Sequence, residues 1–398
     1  MAAISPNGRP DTIRVGLAGF SWPLDPALVS TPDEQRIARA LYATPLRTDA
    51  GGRVVPGLCT AWRATHSFRV WAFTCRSASL VAAELRRVRR LRASPANWIF
   101  TSVAQVRVPR PDLVVVELSR EWRRFPYALT TIAAAPPAVR GPFRLVRGSR
   151  DAVEVRRGAR RIVFRRLGRF AMVRGIRRGE LDEAAIPLGD VGAFRGSPRL
   201  HVRPLLAVDV VEFGNDAVPE RIRQAYAATA NRGDYEALVA EGGATAVYAV
   251  ADPGTADPTA YRRALHDIPA LPLRRVRIAE PTDPTLRYAL GLLYAQWREV
   301  GLGPQLVPSS TPADAWLVRD AALYPQREAL LGPVGLQVPF GVADQHGAFD
   351  RLDRQLQSVA RVIPICWVAD ARWVSPRLRA WRENVLGDVD YTRVTIAR

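Results

Sequence analysis

The period of the apolar positions changes several times along the chain, and each change marks an element. IRVGLAG, from Ile13, reads as a strand. Leu24, Asp25 and Pro26 then break the chain, because proline cannot continue a ladder and holds the residue before it extended. This connection is expected to line a crevice. Thr31, Pro32, Asp33 and Glu34 spell a capping box with proline at the first helical position, and Ile37, Ala38 and Leu41 follow on one helical face. A turn in TDAGGRVVPGL, a tryptophan at Trp62 and the aromatic strand VWAFTCR (70–76) come next.

Further on, Val81, Leu85 and Val88 make an apolar helical stripe with Arg86, Arg87, Arg89 and Arg90 off it. Residues 109–118 read as a strand, 125–135 as an apolar helix and 141–145 as a return strand. IRRGELDEAAIP (176–187) closes a helix at Gly179 and opens a strand, since that turn needs glycine's permissive backbone. A helix pair is expected over 219–238 and a strand over 276–279. Leu286, Leu290, Leu293 and Trp297 share one side of a helix that Gly301 ends. A helix from Leu352 leads to Ile363 and Pro364, and 391–396 reads as a closing strand.

Length changes the picture first. At 398 residues, two or three lobes are expected rather than one core. No run reaches the roughly 18 apolar residues of a membrane helix, and MAAISPNGRPD carries no signal-peptide core and no lipid-accepting cysteine. The formal charge of +19 invites a nucleic-acid reading, but all 57 basic residues are arginine. Complete absence of lysine has the form of genome-wide codon bias. The arginines are dispersed, and where they concentrate they alternate with apolar stripes, as on solvated faces. No nucleic-acid partner is expected.

Catalytic patterns are absent. There is no Gly-x-Ser-x-Gly elbow, no His-Glu-x-x-His, no phosphate loop and no Cys-x-x-Cys. His66, His201, His266 and His346 lack ligand spacing. Neither an enzyme, nor a cofactor, nor a metal site is expected.

The order of strand, Leu-Asp-Pro turn, capped helix, Asp-Gly turn, tryptophan and aromatic strand resembles the opening of the family 5 extracellular solute-binding proteins, the peptide and nickel receptors of ABC importers. Gly141-Pro142-Phe143, the Gly179-Glu180-Leu181-Asp182 signature, the 219–232 helix pair and Ile363-Pro364 extend the likeness over nearly the whole chain. The family's aromatic loop before the helix at Ala78 is missing and its third lobe is short, so the chain looks like a compact member. The resemblance implies an α/β, two-lobed periplasmic-binding-protein-like fold of type II, peptide-binder class. Lobe 1 would be discontinuous (11–44, 139–205 and 370–398), 45–138 an inserted subdomain and 206–369 lobe 2. It also implies an extracytoplasmic monomer that passes a peptide-like or carboxylate-bearing solute to an ABC permease. The alternatives are an unexported ligand-sensing relative acting on a protein partner and an arginine-rich nucleic-acid binder.

Carried over by position, ligand would pair with strand edges at Ser30, Thr31 and Pro32 and at Arg319, Asp320, Ala321 and Ala322, with Trp22 and Trp316 beside them. Leu323 stands where the oligopeptide binders have an aspartate for the peptide ammonium, and Asp320, three residues earlier, is the substitute carboxylate. A buried ammonium without a counter-charge costs several kcal/mol, so solutes bearing carboxylates are expected over those relying on a free amine. Separately, Cys59 and Cys75 flank a hairpin turning near 66–68. A regular ladder brings them opposite each other for a possible disulfide, with Cys366 left over; two unbridged core cysteines are the alternative.

Overall fold

In the computed structural model, the described residues are 11–133, 141–214, 218–239, 245–250, 254, 257–272, 275–331 and 348–397. The sheets arise where the sequence alternates. Strand β1 (Thr12–Leu17) buries Ile13, Val15 and Leu17 completely. It lies parallel to Arg160–Arg166 on one side and Glu183–Ala185 on the other. Helix α1 (Pro32–Leu41) starts at Thr31, whose hydroxyl accepts the Glu34 N–H while the Glu34 carboxylate accepts from the cap backbone. Ile37 and Leu41 pack from this helix into the core of β1, with Phe143, Phe164 and Tyr391.

Among the described residues the main sheet has eleven strands. Its two halves are joined by two long antiparallel strands, Leu200–Phe213 and Val362–Val374. One half, around β1, has apolar cores drawn from segments 13–41, 143–194 and 368–394, with Leu200, Leu205, Ala207 and Ala321 at the junction. The other buries the helices Glu220–Thr229 and Pro284–Glu299 against Val276–Ala279 and Ala315–Ala321. The pairing of the two crossing strands is interrupted between Pro204 and Val208. There Leu206 donates its N–H to the Val385 carbonyl at 2.7 Å and accepts from the Ala322 N–H at 2.8 Å. A four-stranded sheet (59–65, 70–75, 113–118 and 103–110), backed by the helix Ala78–Arg90, forms the inserted subdomain. Cys59 and Cys75 are paired in its first hairpin and joined by a disulfide, and Cys366 is free and buried.

Three elements differ from the sequence reading. Residues 109–118 are the end of one strand, a turn at 111–112 and a second strand, Leu113–Leu118. The helix expected over 125–135 covers only Phe125–Ala128. Past it, the hydroxyls of Thr130 and Thr131 donate to the carbonyls of Tyr127 and Ala128, closing a tight turn in place of further helix. Residues 134 and 135 lie outside the described residues. The tail is a strand only at Thr395–Ile396, paired with Leu378–Arg379, while Tyr391 and Val394 serve as core residues.

Candidate functional site

The first two turns of α1 carry Asp33, Glu34 and Arg36, all buried in spite of their charge. Asp33 accepts the Ala18 N–H at 2.8 Å, and Glu34 accepts the N–H groups of Ser21 and Ser30 at 3.1 Å each. Burial alone would raise the Glu34 carboxyl, but these backbone donors outweigh it and hold the group below the ordinary carboxylate range. The crevice turn between β1 and α1 is therefore tied down by the helix it precedes.

Arg36 lies one turn further into the protein. It is fully buried between Glu183 at 2.6 Å, Asp370 at 3.2 Å and Glu383. Arg372 bridges Asp370 and Asp33, each at 3.0 Å. The indole N–H of Trp381 and the hydroxyl of Tyr391 complete the coordination of Glu183. Asp370 pairs with Arg203 in the crossing ladder, so this ionic cluster is anchored to the strands that join the two halves of the sheet.

Lobe 2 approaches the other side of α1 with the end of Ala315–Ala321. Leu323 is buried, and beside it Tyr324 is fully buried with its ring 6.3 Å from both Trp122 and Tyr127 of the inserted subdomain. The closest approach of the lobes thus runs through aromatic packing. A cavity of about 40 Å³ remains in the seam. Val29, Gln35 and Arg39 of lobe 1, Ala96 and Thr130 of the inserted subdomain and Leu323 of lobe 2 face it together. The Gln35 Oε1 there is buried and has no hydrogen-bond partner. A space of this size holds about one water.

Of the ligand-site residues singled out from the sequence, Leu323 lines this cavity and the others do not. Ser30 and Thr31 are exposed at its rim with Pro32 half-buried, and both available N–H groups point to the Glu34 carboxylate. Trp22 packs over Gly148, where any Cβ would overlap the indole. Trp316 packs over Gly214 at the far end of its strand from Ala321, remote from the seam. Arg319 makes two charge-assisted hydrogen bonds to Asp209, at 2.7 and 2.9 Å, within lobe 2. Ala321 pairs with Ala207, within the break in pairing of the two long strands. Asp320 is half-buried next to Val208, and burial first, then the carboxylates of Glu212 and Asp209, push its carboxyl well above the usual range. Gln35, Arg39 and Thr44 also face the seam and were not singled out. Gln35 and Arg39 are four apart on α1 and so share a face, a signal present in the sequence.

No protein-family model and no curated protein matches the chain. Solved structures do. OppA of Haemophilus influenzae, in complex with RPPGFSPFR, aligns with TM-score 0.84 at 14% identity over 98% of this chain and 100% of that one. The murein tripeptide binding protein MppA of Escherichia coli aligns with TM-score 0.85 at 14% identity over 98% of this chain and 99% of that one. The unliganded open form of MppA gives TM-score 0.67 at 14% identity over 98% of each chain. The chain therefore has the two-lobed fold of these binding proteins.

Proposed function

We propose that the chain is the substrate-binding receptor of an ABC importer, working outside the cytoplasm. It captures a peptide-like or carboxylate-bearing small solute between its lobes by hinge closure and delivers it to a membrane permease. The observation that carries this reading is the seam: two lobes joined by two strands, interrupted at Pro204–Val208, close on a cavity between α1 and Leu323. Ligand favours the closed state by the contacts it makes only there. Among the described residues no helix is long and apolar enough to cross a membrane. In this proposal lobe 1 comprises 11–44, 139–205 and 370–398, the insertion is 45–138, and lobe 2 is 206–369.

The seam chemistry supports a choice of solute. Gln35 offers an unpartnered carbonyl oxygen, suited to a ligand N–H, and Arg39, whose guanidinium is ion-paired with Asp388 at 3.3 Å, adds positive charge suited to a carboxylate. On the lobe 2 side Leu323 supplies no charge. The raised Asp320 carboxyl is a poor counter-ion for an ammonium. Ser30 to Pro32 and Arg319 to Ala321 contribute as the rims that frame the entering solute, with Trp22 beside the first, whereas Trp316, at the far end of its strand, takes no part. Thermal-shift measurements with trialanine and N-acetyl-trialanine test this. The proposal predicts that acetylation leaves the stabilisation unchanged or larger; a clear preference for the unblocked peptide would reinstate Asp320 as an amine partner.

A further inference from the structure

The positive charge of the chain is concentrated in one stretch. Residues 144–178 carry thirteen arginines and two acids, a net +11 of the formal +19. Codon bias explains why a basic residue is arginine rather than lysine, but not why so many fall together. The fold gathers them at one edge of the main sheet, in the strands Arg144–Gly148, Ala152–Arg157 and Arg160–Arg166 and the helix Arg169–Arg177. Val153, Val155, Ile162 and Phe164 point into the core, so the residues alternating with them form the outer face of these strands. There Arg144 lies opposite Arg156, and Arg156 opposite Arg161. Like charges directly opposite each other destabilise a sheet. The one acid of these strands, Glu154, is buried and already held by Arg147 and Arg161 at 2.9 and 2.6 Å.

The helix Arg169–Arg177 lies on the same face, with Met172 seated over Gly16 of β1. Its solvent side is not polar throughout. Phe170 is 86% exposed, more than any other large apolar side chain among the described residues. With Val173 and Phe194 it forms an apolar strip that Arg174 and Arg177 border, since positions three and four apart are neighbours on a helix. Leu145 and Val146 of the edge strand are exposed as well. Arg144, Arg150, Arg165, Arg166, Arg174 and Arg177 make no ion pair among the described residues.

A purely polyanionic partner would use the arginines and leave Phe170 in water, and an apolar partner would leave the arginines without counter-charge. We infer that this face docks on an anionic lipid surface, with its arginines against the phosphate headgroups and Phe170 entering the boundary of the acyl chains. An exposed aromatic framed by basic residues is how interfacial elements hold an anionic bilayer, and guanidinium groups pair with phosphate oxygens bidentately. The face shares no residue with the seam cavity, so this docking is separate from solute capture.

Co-sedimentation of the full chain with phosphatidylcholine vesicles, with and without phosphatidylglycerol, tests the docking. Binding should require phosphatidylglycerol and fall as salt is raised, because the screening length shortens from about 10 Å at 0.1 M to about 3 Å at 1 M. Each arginine near such a surface contributes roughly fivefold, so Arg174→Gln with Arg177→Gln should weaken binding on the order of 25-fold. Both side chains are exposed, and the thermal midpoint should not change. The same loss of charge from exposed positions on the helix Pro258–Asp267, Arg262→Gln with Arg263→Gln, should change binding by less than about twofold. An environment-sensitive dye on Phe170→Cys should shift to the blue on phosphatidylglycerol vesicles, the free Cys366 being buried. Absence of binding to those vesicles would overturn the inference. So would equal losses from the two pairs of substitutions, which net charge alone would explain, or an unshifted dye in a chain that binds duplex DNA at the same salt, which would make the face a nucleic-acid surface.

Discussion

At the scale of single residues, the protein is organised by charges placed where apolar residues are the rule. Arg36 has no exposure and is held by three carboxylates. Removing one member of such a buried group leaves the others uncompensated, which costs about 3–5 kcal/mol. Arg36→Met should lower the unfolding free energy by about that amount in urea denaturation; a change under about 1 kcal/mol would show that the cluster is not under strain of desolvation. Glu212 acts in the opposite sense. Burial raises its carboxyl from the ordinary 4.5 to about 6. A carboxyl raised on folding favours the folded state when protonated, so this contribution is present below about pH 4.5 and is lost as pH rises through about 6. Glu212→Gln should therefore raise the thermal midpoint at pH 7 relative to the parent, with the gap closing below pH 5. A gap that stays constant with pH would contradict the raised carboxyl.

At the scale of elements, α1 does most of the positioning and was the most legible in the sequence. Its capping box, proline and apolar face are local signals, and local signals decide a helix start. Replacing Thr31 by Ala should cost about 1 kcal/mol, measured by denaturant unfolding, and should loosen the crevice turn that Glu34 holds. What α1 buries on its charged side was not legible, because the partners of Arg36 come from Glu183, Asp370 and Glu383, at least 147 positions away. The short helix at 125–128 shows the converse. Its apolar run suggested a long helix, but two threonine hydroxyls bonding back to the chain turned it into a knot of turns that brings Thr130 to the seam. The break in pairing at Pro204–Val208 also escaped the sequence, since it depends on where the second strand lies.

At the scale of the whole molecule, the order of motifs carried the two-lobed fold, and what it could not carry was how the lobes meet. The seam rests on Tyr324 between Trp122 and Tyr127 and on Leu323 over α1, contacts made between segments with no sequence relation. Leu323 also sets the expected specificity. Leu323→Asp should place a carboxylate in the seam and shift thermal stabilisation toward trialanine over its N-acetyl derivative; identical responses in parent and variant would separate Leu323 from ligand recognition. The central claim is that the seam holds a solute. Protein purified under native conditions and analysed by native mass spectrometry tests it most directly. The account predicts a small molecule retained by the parent and absent from Leu323→Trp of comparable thermal midpoint. The same bound mass in both proteins would contradict it.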